Sequence, residues 1–215
     1  MYISKFSRFV LGISAGMLLM LLITGTGLLS TSKQSTSITA APFENKHVDV
    51  SNKFSVYFPS GVLPLDATKQ FPTIGYLPVC GNAKTTLACF VIPGNTFPNT
   101  NFGEASASVG IRTDKTDATN CEMREDSNGE FATNETTKIA GIEFKKFATS
   151  DAGAGHRSSG FVYRGFINNK CYELSTRVNT TAFENYEPGM IQKFTDQNEK
   201  DVRATLEKII STFTL

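Results

Sequence analysis

The sequence predicts an α+β fold: an antiparallel sheet packed by a C-terminal helix and one or two shorter helices, preceded by an N-terminal hydrophobic helix. Three observations predict it. Apolar and polar residues alternate through 105–112 and again through 160–178, apolar residues recur at helical spacing from Val202 to Phe213, and 24 consecutive residues from Phe9 to Ser32 carry no charge.

The uncharged run comes after the basic stretch Met-Tyr-Ile-Ser-Lys-Phe-Ser-Arg and contains the block Met17–Ile23. A helix needs about 20 residues to cross the hydrocarbon core. Its basic flank stays on the cytoplasmic side, so the chain beyond the run faces outward. Residues 1–30 are therefore a signal-anchor or a signal peptide, and residues 9–30 would contact the lipid bilayer. Small residues at Thr24–Gly27, or at Ile38-Thr39-Ala40, offer a cut if the leader is removed, which would leave the chain secreted or periplasmic. If it is kept, the chain is a single-pass membrane protein with its C-terminal domain outside. Residues 31–45 are mostly small and polar and read as a flexible linker. Residues 46–215 form the extracytoplasmic domain.

Phe54, Val56 and Phe58 share one face of a short strand that Pro59-Ser60-Gly61 ends. Thr73–Val79 and Leu87–Ile92 are extended, with 81–84 as the turn between them. Ala105, Ala107, Val109 and Ile111 alternate with Ser106, Ser108, Gly110 and Arg112, the pattern of a strand with one buried face. Lys138-Ile139 turns through Ala140-Gly141 into Ile142–Ser150, and Gly160–Ile167 turns through Asn168-Asn169 into Lys170–Val178, a three-stranded meander. Val202, Leu206, Ile209, Ile210 and Phe213 form one helical stripe, with Asp196 and Glu199 placed as a capping box. Shorter helical turns are expected around Asp114–Met123 and Gly189–Phe194. Fifteen of the seventeen Phe lie after residue 40, and with no Trp they supply the large packing pieces.

Composition excludes some functions. Without residues 1–8 the chain holds 19 bases against 20 acids, so no clustered positive charge exists to bind nucleic acid. Only two histidines are present, which argues against a His-rich metal site, and no motif calls for a cofactor. Four cysteines in an oxidising compartment suggest two disulfides out of three possible pairings. Cys80 and Cys89 flank the 81–84 turn and form the natural local pair, which leaves Cys121 with Cys171. The absence of a close C-x-x-C argues against a thiolate zinc site.

Candidate ligand contacts concentrate in the second half. The stretch 151–160 places Asp151, His156 and Ser158 in a Gly-rich loop. As an active-site loop it holds the ingredients of nucleophilic catalysis, and as a hairpin loop it needs only its glycines. Arg157, Arg164 and Arg177 suit an anion-binding face, or solvated cross-strand pairing with Glu173. Tyr163, Tyr172 and Phe166 would form an aromatic platform, or core. Asn134-Glu135-Thr136 and Asn179-Thr180-Thr181 fit the glycosylation sequon.

The runs Gly155–Arg164, Lys170–Ser175 and Phe183–Gly189, with Pro78-Val79-Cys80 and Ala88-Cys89, resemble a family of exported bacterial proteins. More distantly, Phe54–Pro59, Gly141–Phe144 and the terminal helix ending Ser211-Thr212-Phe213 resemble the PsbP-like fold, an antiparallel sheet between helices. That likeness implies an accessory or binding role. The expectation is thus a non-enzymatic envelope module that binds an envelope protein or a small-molecule ligand. The alternatives are an envelope hydrolase using the 151–160 loop and a structural component of an envelope complex.

Overall fold

Three tight turns organise the second half of the chain. Ala140-Gly141, Ala154-Gly155 and Asn168-Asn169 all have positive φ at both residues, the geometry of two-residue hairpins whose twist matches that of the strands they join. They connect β8 (Glu130–Ile139), β9 (Ile142–Gly153), β10 (His156–Ile167) and β11 (Lys170–Thr181) into a meander of four antiparallel strands, one more than the sequence predicts. Alanine incurs a steric penalty in this region that asparagine tolerates better. Ala154→Asn is therefore expected to stabilise the protein by about 0.5 kcal/mol, read as a higher urea midpoint. An unchanged or lower midpoint would show that the turn has other demands.

A computed structural model describes residues 41–66, 73–74, 77–78, 80, 85–125 and 129–215. The expected membrane segment 9–30 and the turn 81–84 lie outside the described residues. Among the described residues no helix is long and apolar enough to cross a membrane. The N-terminal part contributes β1 (Asn45–Asp49), β2 (Phe54–Phe58), β3 (Leu63–Asp66), β4 (Thr73–Ile74), β5 (Leu77–Pro78), β6 (Thr86–Ile92) and β7 (Phe102–Arg112). Seven strands form one antiparallel sheet in the order β3-β6-β7-β11-β10-β9-β8, while β1 pairs with β2 and β4 with β5. The stretch expected as one strand over Thr73–Val79 is instead this β4–β5 pair, in which Thr73 lies opposite Pro78.

Helix α1 is a single turn, Ala118–Cys121, and α2 spans Asp196–Ser211. A mostly antiparallel sheet with a long C-terminal helix is an α+β fold. The expected stripe is buried: Val202, Leu206, Ile209, Ile210 and Phe213 lie at 2% exposure or less against residues of β2, β7, β10 and β11. The cap differs from expectation. Thr195, one residue before Asp196, accepts from the Asn198 N–H at 3.1 Å, so Asp196 and Glu199 sit inside the first turn and face the helix dipole. Beyond α2, Thr214 bridges to Ser55 and fixes the terminus to β2.

The helical turn expected at Gly189–Phe194 is absent, and Phe183–Asn185 forms a 3-10 turn instead. Gly189 adopts φ 85°, outside the helical region, and Gln192 pairs with Thr100 in extended form. This conformation delivers Phe194 to Phe97 and Phe102, with ring centroids 5.0 and 4.8 Å away. Three rings thus close one end of the core.

Candidate functional site

The strand register sorts the sheet into two faces of different chemistry. Towards α2 point Ala105, Ala107 and Val109 of β7, Tyr172, Leu174 and Val178 of β11, and Tyr163 of β10, all in the apolar core. The opposite face carries Glu104, Ser106 and Ser108 of β7, Glu173, Ser175, Arg177 and Asn179 of β11, and His156, Ser158 and Arg164 of β10. Cross-strand pairing aligns them in rows. Glu104 lies opposite Asn179, which lies opposite Ser158, and Ser158 opposite Asp151 of β9. The next row runs Ser106, Arg177, Gly160, Thr149.

Small polar residues alternating with alanines suggest a solvated face, and that expectation fails. Glu104, Ser106, Ser108, Ser158 and Asn179 are between 3% and 9% exposed. Ser108 and Ser175 share a hydrogen bond of 2.7 Å across the β7–β11 ladder. Gly160 lies opposite Arg177, and no side chain fits there, because a Cβ would meet the Thr176 carbonyl oxygen. Burial holds the Arg177 guanidinium below its ordinary range, and the charges of Asp151 and Glu173 compensate only in part.

Farther along the same face the chain builds a charged cluster. Arg164 is 1% exposed and directs Nε to Glu173 at 2.8 Å and Nη1 to Glu130 at 2.9 Å, while Nη2 also reaches Glu130. Its Nη1 also donates to the Met123 carbonyl at 2.9 Å. Arg112 binds Glu125, Glu173 and Asp114 at 2.9 to 3.1 Å, and Lys115 reaches Glu125 at 3.0 Å. Burial works against the Arg164 charge, but the Glu130 and Glu173 carboxylates outweigh it and hold its pKa above the usual arginine range. Burial also acts on Glu125, where bonds from Arg112 and Lys115 prevail and keep the carboxyl below its ordinary value.

Two disulfides frame this face. Cys121 joins Cys171 across 50 residues and holds α1 against β11; Cys80 joins Cys89 at β6. All four cysteines are at most 1% exposed. Two disulfides fit an oxidising, extracytoplasmic compartment.

The structure separates the other sequence candidates. Arg164 is paired with Glu173 as the alternation suggests, but it is buried rather than solvated. Arg157 is solvated, 3.7 Å from Glu184 with both side chains mostly exposed. Tyr163 is 2% exposed in the core on the α2 side of the sheet, and its hydroxyl donates to the Glu207 carboxylate at 2.6 Å. Burial, then the Glu207 charge, pushes that phenol well above its ordinary range. Tyr172 lies in the same core, while Phe166 projects to the opposite face beside Cys171. The 151–160 stretch is no open loop, since β9 runs to Gly153 and β10 starts at His156, with only Ala154-Gly155 between them. Of the two sequons, Asn179 is engaged inside the sheet with Glu104, whereas Asn134 is exposed.

Sequence reasoning missed Glu104 and Glu130, and read Asn179 only as a sequon. A signal was present for Glu104, which continues the Ser106, Ser108 side of β7, and for Asn179, which continues the Glu173, Ser175, Arg177 side of β11. Glu130 begins an edge strand with no apolar alternation to mark it.

No protein-family model matches the chain, and no curated protein matches it. Among solved structures, one from Bacteroides thetaiotaomicron VPI-5482 aligns with 80% of this chain at 14% identity and a TM-score of 0.42, and the alignment covers 48% of that protein. The chain therefore spans about half the length of that protein. LpqN of Mycobacterium tuberculosis, described as involved in cell envelope biogenesis, aligns over 75% of this chain and 82% of its own at 10% identity, with a TM-score of 0.42. At this similarity neither speaks to what the chain binds. The PsbP-like likeness finds no support in either.

Proposed function

We propose that the domain is a non-enzymatic binding module of the cell envelope, held outside the membrane by residues 9–30 or released from them, which takes a small polar ligand against the sheet face around Arg177. The observation that carries the reading is that face itself. A sheet already covered by α2 on one side devotes the other to hydrogen-bonding groups, with the Arg177 guanidinium in the middle of their rows. Burying polar groups is costly, and binding surfaces are where folds retain such groups. Serine hydroxyls and an amide beside an Arg fork match a ligand bearing both hydrogen-bond acceptors and donors.

Melting the full-length chain with small carboxylates, inorganic phosphate and neutral sugars in turn tests this. A ligand at about 100 times its Kd adds about 2.7 kcal/mol, so one class is expected to raise Tm, and the gain should vanish in Arg177→Met. A gain that survives Arg177→Met would place the ligand elsewhere.

One observation favours a second, enzymatic reading: the register sets Ser158 opposite Asp151 and places His156 on the same face two residues away. His156→Ala separates the two. A hydrolase loses turnover on any detected substrate while its Tm holds; a binding module keeps ligand-dependent melting.

A further inference from the structure

One atom on the polar face is left unanswered. The Asn179 Nδ2 group donates to Glu104 Oε1 at 2.8 Å, yet Asn179 Oδ1 is buried with no hydrogen-bond partner among the described residues. Both residues are 5% exposed and lie directly opposite each other in the β7–β11 ladder. An ionised carboxylate offers acceptors only, so it can satisfy the amide N–H and never the amide oxygen. A protonated carboxyl carries the missing donor.

We propose that Glu104 and Asn179 form a proton-binding acid–amide pair, in which the Glu104 carboxyl is held protonated and donates to Asn179 Oδ1 while accepting from Asn179 Nδ2. Leaving a buried acceptor unmade costs about 1–3 kcal/mol, and binding one proton removes that cost together with the cost of a buried charge. Burial acts in the same direction, raising the Glu104 pKa above its ordinary value, while the Asn179 bond and His156 lower it in part.

Among the described residues, the charged and titratable groups that share this part of the face are His156 on β10, Asp151 on β9 and Arg177 on β11. The neighbouring 3-10 turn Gly94–Thr96 and the end of β6 contribute none. Release of the proton therefore places a new negative charge beside His156 and one row from Arg177, so the pair sets the charge of this end of the face according to pH. This pairing does not require a ligand at Arg177.

The sign follows from linkage. Glu104 binds its proton more tightly in the folded chain, so its contribution to stability is present below the unfolded pKa and is lost as pH rises through the folded one. Side-chain 13C NMR of the full-length protein in detergent, with Glu104→Gln used to assign the signal, is expected to show Glu104 titrating above the ordinary value of about 4.3. Titration at or below that value overturns the proposal. In Glu104→Gln the amide supplies a permanent donor. Its denaturation midpoint should match wild type at about pH 4, below the unfolded pKa, and exceed it at about pH 8. An equal deficit of the variant at both pH values would also overturn the proposal, and the NMR titration of wild type decides the matter even if the variant fails to fold.

Discussion

Arg164→Ala is expected to destabilise the protein by about 3–5 kcal/mol. The guanidinium is 1% exposed and satisfies Glu130, Glu173 and the Met123 carbonyl at once. Its removal takes both guanidinium bonds from the Glu130 carboxylate, itself 1% exposed, and leaves it the Glu125 N–H at 2.7 Å. The loss therefore far exceeds that of an exposed ion pair, which is worth about 0–1 kcal/mol. Urea denaturation measures it. Arg164→Lys keeps the charge but not the fork, so it should fall between wild type and alanine. A loss below about 1 kcal/mol for alanine would mean that the cluster is hydrated and reorganises freely.

Removing the Cys121–Cys171 bridge by replacing both residues with serine is expected to cost about 2–5 kcal/mol. Its 50-residue separation makes the chain-entropy contribution large, and both sulfur-bearing residues are fully buried. The bridge also anchors the segment that carries Met123 and Glu125 over Arg164. The double-serine and Arg164→Ala losses should therefore combine to less than their sum, because either change already loosens the shared segment. Strict additivity would show that the bridge and the charge cluster act independently. An unchanged urea midpoint would show that the bridge contributes nothing to stability.

How much was legible in the sequence depended on whether a pattern met a solvent boundary. Helix α2 was legible because its stripe divides core from water, and the Asn168-Asn169 hairpin because asparagine tolerates positive φ. The turn at Ala154-Gly155 reads in the sequence as part of a ten-residue loop, since Asp151, Gly153 and Ser158 are loop-forming types that here extend two strands. Most of β8 was invisible: Phe131 is exposed on this edge strand, and the register shifts between Ala132 and Glu135, where Asn134 adopts φ 55°.

The candidate site was legible as residue types and illegible as burial. Alternation correctly set Arg164, Arg177 and Glu173 on one face, but Ser106 and Ser108 beside alanines read as solvent-facing. A face buried with polar groups has the same pattern as one bathed in water. The burial of Glu104, Ser106, Ser108 and Asn179 distinguishes them, and that needs coordinates.

The role proposed for the domain requires that it fold where thiols oxidise. The most direct measurement is the intact mass of the protein from fractionated native cells, taken with thiol labelling before and after reduction. An envelope module is expected in membrane or exported fractions, with no label on any of the four cysteines until the bridges are reduced. Recovery from the cytosol with all four thiols open to label would contradict it.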